Sequence, residues 1–208
     1  MSRILVISPH PDDDAIGCGG AMLQHAEAGD EVRVVVLTSG EEGGHGRPAA
    51  ETARVREGEA RVAARILRVG LIEFWRLPDG RITSSPPVVR RLRALLEEWA
   101  PDRVCAPHGR EQHRDHRAAL RLVRRAIAES RVTPELLVYE VWTPLQRMDE
   151  IVEITPFLAA KLRAIRAHRT QCRVLDFPAA ARGLARYRGE MFCWPEGKYA
   201  EVFERVRR

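Results

Sequence analysis

The chain has 208 residues, with 34 basic and 29 acidic side chains and a formal net charge of +5. It contains no run of about 18 apolar residues and no basic-then-apolar signal region, which argues against a membrane span and predicts a soluble, cytoplasmic protein. Its four cysteines are scattered without a C-x-x-C spacing, which argues against a cysteine-based zinc site and favours free structural thiols over a disulfide framework.

The basic residues are almost all arginine: only Lys161 and Lys198 are lysine. Most of the arginines stand beside glutamates at intervals along apparent helices, a pattern typical of an ion-paired helix surface. A nucleic-acid site needs basic residues clustered on one face, usually with aromatic side chains between them, and only 6% of the residues are aromatic. We therefore expect no nucleic-acid partner.

Strands and helices alternate along most of the chain. Apolar and β-branched runs predict strands, which are residues 3–8, 31–39, 71–77, 102–107, 135–141 and 150–155. Helical spacing predicts helices, which are residues 15–29, 49–69, 86–99, 114–129 and 156–170. The tail to Arg208 is mixed, and no linker divides the chain. The pattern predicts a single α/β domain over residues 1–208, with a largely parallel sheet. Strand 150–155 could lie at a sheet edge and pair with a second copy in a homo-oligomer.

Two loops in this arrangement are rich in metal-ligand side chains. They are PHPDDD, residues 9–14, and PHGREQHRDH, residues 107–116. Ligands of open parallel sheets bind beyond the carboxyl ends of the strands, where loops distant in sequence can meet. His and Asp side chains from two such loops predict a metal site, with zinc as the natural occupant. The cation would also offset the repulsion among the three successive aspartates.

A glycine-rich turn after the first strand is similar to a dinucleotide-binding fingerprint. However, Met22 stands where the third glycine belongs, and the turn is acidic, which opposes a bound pyrophosphate. We expect Gly17 and its neighbours to let the first helix pack closely on the sheet.

The sequence PHPDDD, followed by GCGG and the distal QHRDHR, resembles the LmbE-like or PIG-L family of zinc-dependent N-acetylglucosaminyl deacetylases. That family has Ala/Pro-His-Pro-Asp-Asp-Glu and a distal His-x-Asp-His. Further similar blocks follow in the family's order: TSGEEG (38–43), REGEARVAARIL (56–67), RLPDG (76–80), KLRAIRAHRTQ (161–171) and YAEVF (199–203). The resemblance implies a Rossmann-like, three-layer α/β/α fold with its site at the carboxyl ends of the strands.

By position, the resemblance implies that His10, Asp13 and His116 bind the metal. Zinc held by three protein ligands keeps one position open for substrate. Ligation by histidine and aspartate does not discriminate sharply between metals, so Fe²⁺ is the alternative in the cell.

The resemblance also implies roles for four further residues. Asp12 would be the general base that takes a proton from the attacking water. His113 would lie near the substrate carbonyl, where it stabilises the oxyanion or protonates the departing amine. Arg56 and Asp79 would reach sugar hydroxyls.

Two positions depart from the family pattern. Asp14 stands where the family has glutamate, and we expect it to occupy the first turn of a helix. Arg114 stands where the family commonly has proline; we expect it to face solvent, although contact with an acidic aglycone stays open. Asp115 could orient a ligand histidine. We expect His108 to be an exposed loop residue and Trp142 to pack in the core or an interface.

These observations together predict a metal-dependent hydrolase that removes acetyl from an N-acetylglucosamine-type sugar or glycoside, releasing acetate and a free amine. Two alternatives stay open: a metal-dependent amidase or deacylase for another N-acyl small molecule, and an arginine-rich nucleic-acid-binding module. The aglycone could be inositol, malate, another sugar or an antibiotic precursor. We expect a small-molecule substrate and no membrane partner.

Overall fold

A computed structural model describes residues 1–207 and contains a sheet of seven strands in the order β3-β2-β1-β4-β5-β7-β6. The strands are β1 (Arg3–Ser8), β2 (Glu31–Thr38), β3 (Leu71–Leu77), β4 (Arg103–Pro107), β5 (Glu135–Tyr139), β6 (Glu150–Glu153) and β7 (Ala200–Arg205). The helices are α1 (Asp13–Glu27), α2 (Ala49–Ile66), α3 (Pro86–Trp99), α4 (Arg114–Ala128), α5 (Leu158–Ala167), α6 (Arg169–Cys172) and α7 (Phe177–Phe192). Short 3₁₀ turns span Glu41–Gly44 and Thr155–Phe157.

Helices cover both faces of the sheet, because successive side chains of a strand point to opposite faces. In β1, Ile4 and Val6 belong to the core that includes residues of α1, α2, α5 and α7. Leu5 and Ile7 belong to the second core, beneath α3 and α4. Strands β1 to β5 are parallel. This confirms the three-layer α/β fold with a largely parallel sheet.

The centre of the sheet explains where a site can form. β1 pairs with β2 on one side and with β4 on the other, so the chain turns in opposite directions from β1. The loops that leave the carboxyl ends of β1 and β4 therefore border a crevice, which is the usual ligand position in such sheets.

The C-terminal region differs most from the prediction. The predicted helix 156–170 ends at Ala167, and α6 is a separate turn that begins after His168. Glu59 of α2 accepts hydrogen bonds from the backbone N–H (3.0 Å) and hydroxyl (2.7 Å) of Thr170, so a distant residue stabilises the start of α6. The tail forms α7 and β7, and β7 pairs antiparallel with β5 and β6. This leaves β6 at the sheet edge.

Helix α1 is broken in its middle. Cys18 has a non-helical backbone (φ −140°, ψ 21°), which frees N–H groups in the next turn. The Glu201 carboxylate of β7 accepts hydrogen bonds from the N–H groups of Gly20 (2.8 Å) and Ala21 (2.7 Å). Lys161 of α5 pairs with the same carboxylate, so the buried charge of Glu201 is matched.

The glycines of α1 allow the close packing that the sequence predicted. A Cβ atom on Gly17 would lie 2.2 Å from the ring of Tyr139, and one on Gly20 would lie 2.6 Å from Ile154. Any larger residue at either position would push the helix away from its neighbours. Within residues 1–207, the helices are too short or too polar to cross a membrane.

Candidate active site

The loop after β1 supplies the first half of the site. His10, Asp12 and Asp13 follow the end of the strand, and all three are buried. The Asp13 carboxylate accepts a hydrogen bond from the backbone N–H of His10 at 2.9 Å. The same oxygen, Oδ2, lies 2.9 Å from His10 Nδ1. The tight turn therefore holds the His10 ring against the Asp13 carboxylate.

The loop after β4 supplies the second half. His113 is the N-cap of α4, and its Nδ1 accepts a hydrogen bond from the backbone N–H of Asp115. His116 lies nearly one turn further along α4 and is fully buried. Its Nε2 lies 3.1 Å from Asp13 Oδ2. The structure therefore brings together His10, Asp13 and His116, the three ligands that the sequence implies.

The residues present fit a divalent cation. Within residues 1–207, neither ring nitrogen of the buried His116 has a hydrogen-bond partner, although Asp13 Oδ2 is near. An unpartnered buried polar group costs free energy, so it indicates a missing partner. Ring nitrogens of His10, His113 and His116 lie within 4.8 Å of one another. Imidazole nitrogen and carboxylate oxygen are donors that suit zinc and iron(II).

Three carboxylates lie behind His10 and His116, the two histidines predicted to be ligands. Asp79 Oδ1 is 3.1 Å and Asp115 Oδ2 is 3.4 Å from His10 Nε2. Glu111 Oε2 is 3.5 Å from His116 Nδ1. Carboxylates in this position fix the orientation of a ligand imidazole and increase its basicity. Asp115 therefore has the orienting position that the sequence suggested.

Asp12 and Arg56 form a buried ion pair beside the ligands. Arg56 Nη2 donates to Asp12 Oδ1 at 3.1 Å, and Arg56 Nη1 donates to the Gly40 carbonyl at 2.9 Å. Asp79 is also engaged: its Oδ1 lies beside His10, and its Oδ2 accepts from the backbone N–H of Glu42 at 3.1 Å. A contact of Arg56 or Asp79 with sugar hydroxyls stays a prediction, because both side chains already have protein partners.

The electrostatics favour a charged Asp13. Burial pushes the pKa of Asp13 up, but the nearby His116 and His10 outweigh burial and hold this pKa well below its usual range. Burial pushes the pKa of His116 down, but the Asp13 carboxylate raises it to about 9. Burial, together with the charge of Asp13, raises the pKa of Asp14 to about 7. A carboxylate that stays ionised is what a metal ligand requires.

A cavity of about 520 Å³ opens above these groups. Six of the seven predicted site residues line it, namely His10, Asp12, Asp13, Arg56, Asp79 and His113. His116 lies beneath, at 0% exposure. The volume is in the range of pockets that bind small molecules.

Other histidines lie outside this cavity. The expectation that His108 is exposed is wrong: it is buried, and its Nε2 lies 2.6 Å from the Thr143 carbonyl oxygen. The reason is that the loop after β5 folds over it. His168 is buried at the break between α5 and α6, and His45 is exposed.

Sequence reasoning missed Glu111 and misplaced Trp142. The buried Glu111 carboxylate accepts hydrogen bonds from the backbone N–H groups of Val141 (2.7 Å) and Trp142 (3.1 Å), and it also lies beside His116. Trp142 is 47% exposed and lines the cavity instead of packing in the core. Glu111 is the one acid between β4 and His113, which was the available signal.

The fold and the site together define a three-layer α/β protein with a histidine and aspartate cluster at the carboxyl ends of its central strands. Residues 5–127 match the family described as PIG-L: GlcNAc-PI de-N-acetylase. The match covers more than half of the chain and includes both loops of the site. The chain therefore belongs to this deacetylase family.

Proteins with named activities are similar to nearly the whole chain. The 1D-myo-inositol 2-acetamido-2-deoxy-alpha-D-glucopyranoside deacetylase of Kineococcus radiotolerans is 26% identical, over 96% of this chain and 77% of the relative. The crystal structure of N,N'-diacetylchitobiose deacetylase from Pyrococcus horikoshii, complexed with an inhibitor, superposes with a TM-score of 0.87 and 28% identity, over 99% of this chain and 84% of that chain.

A structure with a different named activity is about as similar. The 4-carboxy-2-hydroxymuconate hydratase GalB of Pseudomonas putida KT2440 superposes with a TM-score of 0.86 and 26% identity, over 100% of this chain and 97% of that chain. Because one fold can support several reactions, the activity has to be argued from the site.

Proposed function

We propose that this protein is a metal-dependent N-deacetylase that hydrolyses the N-acetyl group of an N-acetylglucosamine-type sugar or glycoside and releases acetate and a free amine. The observation that carries the proposal is the position of Asp13 Oδ2, 2.9 Å from His10 Nδ1 and 3.1 Å from His116 Nε2. Asp12 lies beside this cluster at the cavity. Similarity to two sugar deacetylases supports the substrate class.

His10, Asp13 and His116 would hold the cation, which we propose to be zinc, with Fe²⁺ as the alternative in the cell. A divalent cation in such a site lowers the pKa of a water molecule to about 7 and polarises a carbonyl group. Asp115 and Glu111 would keep the two ligand rings in place from behind.

Asp12 would move protons in the proposed reaction. Among the described residues, its Oδ1 accepts from Arg56, which orients the carboxylate and leaves Oδ2 to accept the proton of the attacking water. The protonated Asp12 then delivers that proton to the nitrogen of the departing amine. Arg56 therefore acts first by holding the base, whether or not it also touches the sugar.

His113 would stabilise negative charge on the carbonyl oxygen. Its Nδ1 accepts from the backbone N–H of Asp115, so the neutral ring carries its proton on Nε2 and donates from that atom. Burial, together with the neighbouring His10 and His116, lowers the pKa of His113, which favours the neutral ring. A fixed hydrogen-bond donor near a developing oxyanion accelerates acyl transfer.

We propose that residues 1–208 act as one catalytic domain in the cytoplasm, on small molecules and without a nucleic-acid partner. The scattered cysteines, all four of them free among residues 1–207, support the cytoplasm. The edge position of β6 supports pairing between two copies as a route to a homo-oligomer.

Amine and acetate release from a panel of N-acetylglucosamine glycosides tests the function. Zinc-loaded wild type should release both, and Asp12→Asn should be slower by at least about 10²-fold while keeping its zinc, as expected for a lost general base. Glu98→Gln, an exposed acid on α3, is the control. A metal-loaded wild type that releases nothing from any glycoside would contradict the sugar substrate and favour another N-acyl compound.

A hydratase is the second candidate function, and the similarity to GalB favours it. A hydratase adds water to a double bond, so its product gains the mass of one water and no acetate appears. Mass spectrometry of reactions with sugar amides and with unsaturated dicarboxylates distinguishes the two activities. A nucleic-acid-binding module would instead bind polyanions with strong salt dependence and without regard to metal removal.

A further inference from the structure

We infer that the rim of the cavity selects glycosides whose aglycone carries an oxyanion, a carboxylate or a phosphate, and that Arg81 and Arg114 bind it. The inference rests on the proposed deacetylase function and concerns the part of the substrate away from the amide. Both arginines line the cavity, and both are exposed.

The two arginines belong to adjoining parts of the rim. Arg81 directly follows the turn formed by Asp79 and Gly80, and Arg114 is the first residue of α4. Gly80 has a φ of +72°, and a Cβ atom there would lie 2.7 Å from Arg114 Nη2. The Arg114 guanidinium therefore lies over the turn that leads into Arg81, and the positive φ of that turn favours glycine.

The acids on the floor of the cavity already have partners. Asp12 pairs with Arg56, and Asp13 and Asp79 contact His10. Among residues 1–207, neither Arg81 nor Arg114 has a carboxylate oxygen within 4.0 Å. These two guanidinium groups are therefore free to bind a ligand, and a guanidinium offers paired N–H donors that match a carboxylate or a phosphate.

The charge of Arg114 is not explained by helix stability. Arg114 is at the first position of α4, where the partial positive charge of the helix end disfavours a cation. Among the described residues, the neighbouring Asp115 does not form an ion pair with it, and its carboxylate instead accepts from the backbone N–H groups of Gly80 (2.7 Å) and Ile82 (3.3 Å). A cation held there against the local preference is better explained by a ligand.

The floor of the cavity would orient such a substrate. The floor offers no unpaired guanidinium, because Arg56 pairs with Asp12, so the oxyanion stays at the rim. The uncharged amide can then approach His10 and Asp12. Glu42 is the one exposed acid that lines the cavity among the described residues, and its charge weakens the attraction at the rim.

The test compares two matched glycosides of N-acetylglucosamine, carboxymethyl and the uncharged carbamoylmethyl, on zinc-loaded protein. The measured quantity is the ratio of their kcat/KM values. In the wild type it should favour the carboxylate several-fold and decrease with added salt. Arg81→Gln and Arg114→Gln should each lower the ratio by about two- to fivefold, mainly through KM, as expected for exposed ion pairs.

Two variants serve as controls. Arg121→Gln changes an exposed arginine of α4 that does not line the cavity, and it should leave the ratio as in the wild type. Glu42→Gln should raise the ratio. A second pair, N-acetylglucosamine 1-phosphate and its uncharged methyl glycoside, identifies the oxyanion: the pair with the larger arginine-dependent preference shows whether it is a phosphate or a carboxylate.

The inference is wrong if the wild type shows no preference, or if the arginine variants slow both glycosides equally. If neither glycoside is hydrolysed, the proposed function fails. The preference is then measured as the ratio of the two Kd values, determined by calorimetry. An arginine-dependent preference in Kd would then support the oxyanion site, and equal Kd values would overturn it.

Discussion

Helix α1 carries two buried clusters of charge that differ in how completely they are satisfied. At its start, Asp13 opens onto a cavity, and the neighbouring His116 has no hydrogen-bond partner among the described residues. In its middle, Glu201 accepts from two backbone N–H groups and pairs with Lys161. Both clusters are buried, so burial of charge does not by itself indicate function. The first cluster differs because the unmatched ring nitrogens of His116 lie among other metal-ligand side chains beside a cavity.

The two clusters should respond differently to the loss of a charge. Removing a charge from the cluster around Asp13, which opens onto the cavity, should change metal binding and catalysis. Removing a charge from the cluster around Glu201, where every group has a partner, should change stability, because a buried ion that loses its partner is strongly destabilising.

The largest effect is expected from Asp13→Asn. The variant keeps the shape of the side chain but loses the charge that both His10 and His116 approach. Zinc content after dialysis should fall close to zero, and the rate should fall at least about 10³-fold, since a catalytic cation contributes several kcal/mol. Circular dichroism checks the fold. Full zinc content in this variant would mean that Asp13 is not a ligand.

Glu201→Gln should have the next largest effect, on stability. Lys161 would stay buried without its counter-charge, so the free energy of unfolding should fall by about 3 kcal/mol, measured by urea denaturation. Zinc content of the folded variant should match that of the wild type. Glu190→Gln, which breaks the exposed Arg186–Glu190 pair, should cost less than about 1 kcal/mol. Equal losses of unfolding free energy in the two variants would mean that the buried pair matters no more to stability than the exposed one.

Glu111→Gln should weaken the metal site without emptying it. Glu111 lies behind His116 and holds the backbone of the Trp142 loop, so zinc affinity should fall about 10- to 100-fold, measured by competition with a chelator. Glu140→Gln is a matched control, because Glu140 is a buried acid that pairs with Arg188. It should reduce stability and keep the zinc affinity. An equal loss of zinc affinity in both variants would mean that general destabilisation of the fold, and not the contact of Glu111 with His116, weakens the site.

The smallest effect is expected at Glu57, a carboxylate that already has protein partners and lies away from the cavity. Hydrogen bonds from Arg76, Ser39 and Arg61 outweigh burial and lower the pKa of Glu57 to about 2, from 4.5 in the unfolded chain. Because the folded-state pKa is depressed, the stability from Glu57 is full above pH 4.5 and is lost as the pH falls towards 2. The stability difference between wild type and Glu57→Gln should shrink over this range, by roughly 1 kcal/mol. A stability difference that does not change with pH would contradict the lowered pKa of Glu57.

Local patterns predicted the half of the fold that consists of strand–helix units. Helix α3 spans the predicted residues 86–99, because a proline starts it and an apolar stripe continues to Trp99. Helix α1 begins at Asp13, two residues before the prediction, since acidic residues suit a first helical turn. The position of β7 between β5 and β6 could not be predicted, because no local feature of residues 200–205 specifies a partner. The turn that follows His168 is held by Glu59, which is 111 residues from Thr170 in the sequence.

The candidate site shows the same division. His10, Asp13 and His116 could be proposed from the sequence because they belong to a family motif at the ends of two strands, and the structure brings them together. Glu111 and Trp142 were not, since a single acid in a loop and a single tryptophan carry no periodic signal. Their importance appears only when the loops after β4 and β5 are seen side by side.

The hydrogen bonds between Glu201 and α1 also have a consequence for folding during synthesis. Glu201 is 181 residues after Gly20, whose N–H group it binds. Proteins are synthesised from the N-terminus, so His10 and Asp13 leave the ribosome long before β7 exists. The residues of this helix are therefore made early, and its contacts with Glu201 can form only after a further 181 residues have been added.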